Sequence, residues 1–535
     1  MPLGQRARGS QGRTAPGWRV ARLCAVLSPL FGASALPVPC FAQALTSSMF
    51  TPSVGGFAPR EDSPLRSVGG QDDMRPTYGI PPASGAAGSG YDSLNRKRKV
   101  AKPYPGTPHP TPNPPLQAPR VTAPVSPSFA GTAEGAPPRR RLKIDDDPFG
   151  QVGNRAGSFL VKSAVEVWGG YDSNPSRLSE PRSSAFYRIA PELQATSLWS
   201  RHAVDLDLRG SFTGYGTEFP TTSGASSVPV DIDRPDFNGR LSGRLDVTRD
   251  TRVVSAVRLR LGTDNPGARD NIIQYGLSKY PIYATYGGTA GFEQDFNRLQ
   301  LQVNGNIDRT VYQNSKLIDG TSWSNDDRNF NQYGVQARAS YDLTPGVKPF
   351  VEVVTDKRVH DTRLDRYDYE RDSTGGYLKG GTSFEFSRLL TGEIAAGYGW
   401  RDYQDPRLKR MDGLLTSASL IWRATGLTTV RLDAVSSINE TTLPGVSGSL
   451  SRDYTAQVDH AFRRWLIGTA RFGYGTSDYQ TAGQDKRYFA EGTLTYKLSR
   501  TFAIKGSLRH DWLESGSGGV NTAATVVMLG VRVQR

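Results

Sequence analysis

From Ser158 to Arg535, apolar and polar residues alternate with a period of two in one segment after another, each about 12 to 15 residues long. In Ala203 to Tyr215, Val204, Leu206, Leu208, Gly210 and Phe212 share one face, while Asp205, Asp207, Arg209, Ser211 and Thr213 share the other. The same register sets Leu299, Leu301, Val303, Gly305 and Ile307 against Gln300, Gln302, Asn304, Asn306 and Asp308. It returns in Phe502, Ile504, Gly506 and Leu508 against Lys505, Ser507, Arg509 and Asp511. A helix cannot keep such a pattern on one side, whereas successive side chains of a strand point to opposite faces. An exported soluble sandwich would also alternate, but its strands have a modal length of about 5 to 6 residues. A strand that crosses a bilayer at a tilt needs roughly 9 to 11. Segment length therefore selects an all-β fold, a transmembrane antiparallel up-and-down β-barrel.

The connections give the strand count. Tight turns are expected at Ser200-Arg201, Arg249-Asp250, Asn297-Arg298, Thr344-Pro-Gly346, Ser387-Arg388, Thr425-Gly426, Arg463-Arg464 and Ser499-Arg500. Between them lie loops rich in Gly, Ser, Asn and Asp at 216–233, 264–282, 314–327, 362–372, 405–412, 441–450, 479–486 and 515–521, after a first at 173–183. Eight turns and nine loops join about 18 strands, an even number that leaves both chain ends on the short-turn side. Aromatic residues near the expected strand ends, among them Tyr171, Trp199, Tyr215, Phe296, Tyr312, Tyr341, Tyr403, Trp422, Trp465, Tyr474, Tyr496 and Trp512, suit the two membrane interfaces.

Ahead of the alternating region the sequence has another character. Arg6, Arg8, Arg13, Arg19 and Arg22, the apolar stretch Leu23 to Leu36 and the small-x-small pattern Ala42-Gln43-Ala44 read as a signal peptide over residues 1–44. It contains both cysteines, Cys24 and Cys40, so the exported chain has no thiol chemistry. Residues 45–150 hold 19 of the 36 prolines and no sustained apolar pattern. The segment 45–157 is therefore expected to be a disordered Pro-rich linker in the periplasm. Its basic clusters, Arg96-Lys-Arg-Lys99 and Arg139-Arg-Arg141-Leu-Lys143, are solvated charge or a contact for a periplasmic partner. The net charge of +14 divides into +9 before Gln151 and +5 over the longer remainder. No concentrated basic face for nucleic acid results.

Several segments carry a family resemblance: Gly169-Gly-Tyr-Asp-Ser-Asn-Pro175, Gly262-Thr-Asp-Asn-Pro-Gly267, Tyr286-Gly-Gly-Thr-Ala-Gly291, Asp308-Arg-Thr-Val-Tyr-Gln313, Thr344-Pro-Gly-Val-Lys-Pro-Phe350 and Asp459-His-Ala-Phe-Arg-Arg-Trp465. With them the chain resembles the porin-2-like β-barrels of the outer membrane of Gram-negative proteobacteria. The resemblance implies an outer-membrane location, insertion by the outer-membrane assembly machinery, contact with lipid and passage of small hydrophilic solutes. One departure is plain: many such barrels end in an aromatic residue, whereas here the alternation Val527, Leu529, Val531, Val533 is followed by Gln534-Arg535.

No cofactor motif or zinc-ligand spacing appears among the five histidines. His360-Asp361, beside a loop, is the pair that a hydrolase reading would use. The stronger functional signal is the polar face, because barrels of 16 to 18 strands leave an aqueous lumen. Asp205, Asp207, Arg209, Arg258, Arg260, Gln300, Gln302, Asn304, Asp308, Arg431, Asp433, Lys505 and Arg509 are expected to line it, where rings of charge select solutes. Arg258, Arg260 and Arg431 give a slight basic bias. By analogy with general porins, the loop 264–282, with Ile272, Ile273 and Tyr280, is the candidate constriction. A porin is the first reading, and a conduit for exopolysaccharide or another polymer is the alternative, with a wider, less charged lumen.

Overall fold

The computed structural model describes residues 149–178, 181–218, 229–264, 266, 277–387, 389–516 and 521–535. The expected signal peptide and linker up to residue 148 lie outside these residues, as do Ile272 and Ile273. The barrel strands are β1 (Phe159–Asp172), β2 (Ser184–Ser197), β3 (Ala203–Tyr215), β4 (Arg234–Asp246), β5 (Thr251–Thr263), β6 (Ile282–Phe296), β7 (Leu299–Tyr312), β8 (Phe330–Tyr341) and β9 (Val347–His360). They continue as β10 (Ser373–Ser387), β11 (Leu390–Tyr403), β12 (Met411–Thr425), β13 (Thr428–Asn439), β14 (Ser449–Arg463), β15 (Leu466–Asp478), β16 (Gln484–Lys497), β17 (Phe502–Glu514) and β18 (Thr522–Gln534). Each pairs antiparallel with its neighbours in sequence, and β18 returns to β1 from Ala164↔Gln534 to Asp172↔Val526. Closure leaves no open edge around the ring, the condition for a sheet in lipid.

Eighteen strands and the turn positions agree with the sequence reading. At Thr344-Pro-Gly346 the turn requires glycine twice over: Gly346 has φ +84°, and a Cβ there would stand 2.4 Å from the Glu385 carbonyl oxygen. Below Ala164, where β18 has ended, β1 takes a different partner. The short strand Asn154–Ala156 pairs with Phe159–Val161, and Ser163 exchanges both backbone hydrogen bonds with Arg535.

The outer face is apolar from strand to strand. Leu529 is 65% exposed, Val257 59% and Leu414 56%, a surface that only hydrocarbon can cover at low cost. Aromatic pairs bound it at both ends. At the tight-turn end Trp465 packs on Tyr496 with ring centroids 5.0 Å apart, and Phe159 on Trp199 at 5.3 Å. At the loop end Tyr474 meets Tyr454 at 6.3 Å and Tyr488 at 5.1 Å. On β16, Tyr488 and Tyr496 are separated by about 26 Å of strand, the order of the apolar band of an outer-membrane barrel. Tyr215, Tyr312 and Tyr403 differ from expectation. They stand in phase with the polar residues of their strands, so they face inward rather than toward the girdle, Tyr215 being only 7% exposed.

Candidate functional site

All thirteen residues expected to line the lumen lie on the polar face of their strands, and most are tied to a neighbour. On β3, Arg209 pairs with Asp207 at 3.0 Å, while Asp205 stands one step along the same face. Arg258 reaches Asp308 at 2.6 Å, and Asn304 receives Gln302 at 3.5 Å and donates to Gln336 at 3.3 Å. Gln300 accepts from Lys348 at 2.8 Å, Arg431 lies 3.6 Å from Asp459, and Asp433 accepts from Ser419 at 3.0 Å. Lys505 pairs with Glu166, and Arg509 pairs with Asp511 at 2.7 Å while its guanidinium lies 4.2 Å from the centre of the Phe489 ring. Arg260 is exposed near Tyr283 and makes no hydrogen bond or ion pair among the described residues.

Three of the ion pairs share one construction. Arg258, Gly287 and Asp308 are register partners across β5, β6 and β7, so the arginine reaches its carboxylate over a glycine. Arg401, Gly375 and Asp356 repeat this across β11, β10 and β9, with the pair at 2.5 Å. Arg487, Gly475 and Asp453 repeat it across β16, β15 and β14 at 3.0 Å. Bare backbone in the middle strand is what lets charges two strands apart meet along the wall.

The sequence reading missed the densest group, on the inner wall from β8 to β11. Arg338 donates to Glu393 at 2.7 Å and Glu352 at 3.3 Å, Tyr377 donates to Glu352 at 2.7 Å, and Gln332 donates to Asp356 at 2.6 Å. Lys379 is 3% exposed between Glu352 and Glu393 on the same face. These residues occupy the polar positions of their strands, so alternation marks them as inward, but it does not show that four strands bring them into one cluster.

Two inward apolar clusters depart from an evenly polar lumen. Phe186, Tyr215 and Val526 on the inner wall are covered by Ile232 and Tyr280 from the loops. Of the expected constriction loop, Tyr280 packs against this inner wall while Ile272 and Ile273 lie outside the described residues; burial pushes the Tyr280 hydroxyl pKa up to about 12, so it stays neutral. The second cluster joins Val354, Tyr377, Met411 and Leu415 on the inner wall of β9, β10 and β12 to Ile438 and Leu450. These last two lie at the tops of β13 and β14, where the wall departs from a simple ring. The β12–β13 ladder stops at Ser417↔Val435, although β12 continues to Met411 and β13 to Asn439. Beyond that point Ser436, Ser437 and Ile438 are all buried, while Leu414 on the outer face of β12 remains exposed. The top of the β13–β14 hairpin therefore lies inside the β9–β12 wall, which forms an outer layer over it.

Between these clusters a cavity of about 810 Å³ opens at the loop end of the lumen. Arg260, Arg509, Arg487, Asp264, Asp453 and Ser437 are among its lining residues, whereas no residue of β10 to β12 reaches it. His360 also lines it but does not pair as expected. Its Nδ1 lies 3.2 Å from Asp372, and Asp361 instead pairs with Arg309. The expected pair fails because adjacent residues on a strand end point to opposite faces.

The loops above are clasped by ion pairs. Arg366 reaches Asp327 at 2.5 Å, and Arg407 reaches Asp405 at 2.7 Å. Burial pushes the Asp327 carboxyl up, but hydrogen bonds and charge from Arg366 outweigh it and hold the pKa below the usual value. Hydrogen bonds from Arg407 hold Asp405 far lower. A depressed carboxyl stabilises the folded state above its unfolded value and loses that stabilisation as pH falls through the folded one. The clasp should thus persist at neutral pH and open only below about pH 4. Limited proteolysis of the loop 361–372 across a pH series reads this, and Asp327→Asn should give the acid pattern at neutral pH.

No helix among the described residues is long and apolar enough to cross a membrane. No group of three or more His, Cys, Asp or Glu among them is placed to hold a metal ion. No curated protein matches the sequence. Among solved structures, the chain is similar to Acinetobacter baumannii OccAB3 with 11% identity, over 70% of this chain and 99% of that one, at a TM-score of 0.35. It is similar to the outer membrane protein OpdK of Pseudomonas aeruginosa with 13% identity, over 70% and 99%, at 0.35. It is also similar to the siderophore receptor PirA of Acinetobacter baumannii with 7% identity, over 71% and 81%, at 0.37. A family model described as "Putative beta-barrel porin 2" matches residues 147–535, well over half of the chain. Closed antiparallel wall, apolar outer band, aromatic girdles and this match together place the chain in that family of porin-like outer-membrane β-barrels.

Proposed function

We propose that the protein is a passive channel for small hydrophilic solutes with a mild preference for anions. The carrying observation is Arg260, a lumen-facing cation with no carboxylate partner among the described residues, in a cavity that Arg509 and Arg487 also line. A cavity of about 810 Å³ suits a small solute, and a polymer conduit would need a wider passage. Asp205, Asp207, Arg209, Arg258, Gln300, Gln302, Asn304, Asp308, Arg431, Asp433 and Lys505 then set the charge of the wall below. Since most are paired, they contribute alternating sign rather than net field, and the unpaired arginine decides the selectivity. The linker 45–157, with its basic clusters, is the part offered to a periplasmic partner.

The test is single-channel conductance in a planar bilayer, with the reversal potential measured across a salt gradient. The natural chain should conduct steadily with a reversal potential on the anion side. Arg260→Glu should move it to the cation side while conductance stays within about twofold, since one side chain changes sign without changing width. A folded protein that conducts in neither form would end the channel reading.

A further inference from the structure

The unpaired stretch between β12 and β13 has a property that a simple end of pairing would lack. Extending the ladder past Ser417↔Val435 without a register shift would pair Leu414 with Ile438 and Gly413 with Asn439. In that arrangement Leu414 and Ile438 would both fall on the outer face, continuing the apolar band, and Leu415 and Ser437 would both fall inward. The strand tops therefore carry the correct pattern for an arrangement they do not adopt. In the structure they overlap instead: Ile438 and Leu450 cover the inner face of β9 to β12, and a Cβ on Gly413 would stand 2.6 Å from Leu450 Cδ2. Thr416 donates its backbone N–H to the Ser436 hydroxyl at 3.1 Å, a side-chain bond at the point where the ladder stops. The overlap is held from above. Arg358 pairs with Glu440, and Arg371 donates to the carbonyls of Leu443 and Val446, each at 3.1 Å.

We infer that the upper wall is a two-state seam. In the overlapped state the top of the β13–β14 hairpin stands inside the lumen and narrows it. In the zipped state the β12–β13 ladder runs to its end, the hairpin joins the wall, and the passage widens by the breadth of the displaced strands. The charged latch on loop 440–448 and the apolar cluster hold the first state, while the extra ladder hydrogen bonds hold the second. The widening rests on the channel reading, but the seam does not.

Two cysteine pairs separate the states in the full chain with Cys24→Ser and Cys40→Ser. Gly413→Cys with Leu450→Cys can bridge only in the overlapped state, where the two positions touch. Leu414→Cys with Ile438→Cys can bridge only in the zipped state, because in the overlapped one Leu414 lies on the outer face of β12 and Ile438 is buried on the inner side. On mild oxidation of the folded barrel, mass spectrometry should find both bridges, the second forming at least tenfold more slowly, and Glu440→Gln should speed the second about tenfold. In bilayers, the zipped-locked protein should conduct at least twice as much as the overlapped-locked one, and reduction should abolish the difference. Failure of Leu414→Cys and Ile438→Cys to bridge under conditions that complete the first pair would overturn the seam. If both bridges form and neither protein conducts, the seam stands and the channel reading falls.

Discussion

Arg338→Ala is expected to lower the stability of the barrel by about 3 to 5 kcal/mol, the cost of removing one partner from a buried charge cluster. The guanidinium is 7% exposed and answers two carboxylates from different strands, Glu352 on β9 and Glu393 on β11, both below a tenth exposed. It also lies 3.5 Å from the centre of the Phe350 ring, so truncation removes packing as well as charge. Lys379 remains beside both acids but is a single charge for two, and it takes no part in the bonds that Arg338 makes to Ser383 and Glu393. The readout is the temperature at which the compact band of the folded barrel converts to the unfolded one on a gel, together with a urea midpoint. Adding Glu393→Gln should recover most of the loss, because it leaves Glu352 as one carboxylate for the one remaining cation, Lys379, and the penalty lies in the uncompensated carboxylate rather than in the absent arginine. Equal stability of Arg338→Ala and the natural chain would mean that water reaches this wall.

Gly287→Val should cost about 4 kcal/mol or more. A Cβ there would lie 2.0 Å from Asp308 Oδ1 and 2.5 Å from the backbone oxygen of Ile307. The carboxylate can turn aside only by leaving Arg258, and Asp308 is fully buried. The backbone oxygen belongs to the ladder of a closed wall, so the strand itself must shift. Gly475→Ala is the control. There the close atom is the Asp453 carboxylate of a half-exposed pair, so the side chains can move into water and the loss should stay under about 1 kcal/mol. Similar losses at the two positions would remove the steric argument for glycine in the middle of these rungs.

The strand count and the turns were legible because each strand announces itself locally: Val204, Leu206 and Leu208 against Asp205, Asp207 and Arg209 need no distant information. The same alternation shows which face a side chain takes but not what it meets. Asp308 is readable as inward from its neighbours, whereas its bond to Arg258 depends on Gly287 lying between them in register. Tyr215 and Tyr312 show the weaker side of the reading. Position near a strand end suggested the membrane interface, and only their phase against Thr213 and Thr310 reveals that they point inward. The overlap of β12 and β13 left no mark, because Leu414 and Ile438 keep the pattern of an unbroken wall. A register that two arrangements satisfy equally cannot choose between them; the contacts of Glu440 and Arg371 above the wall do.

The pairing of β1 with β18 also imposes an order of events. Every other ladder between barrel strands joins neighbours in the sequence, so hairpins can form while the rest of the chain is still arriving, at low entropic cost. The closing ladder alone joins the two extremes of the barrel sequence, and before it forms the sheet has two free edges that neither lipid nor water satisfies well. Sealing is therefore a single late step that every preceding strand must await, and any chain interrupted before β18 would be held as an open, adhesive sheet.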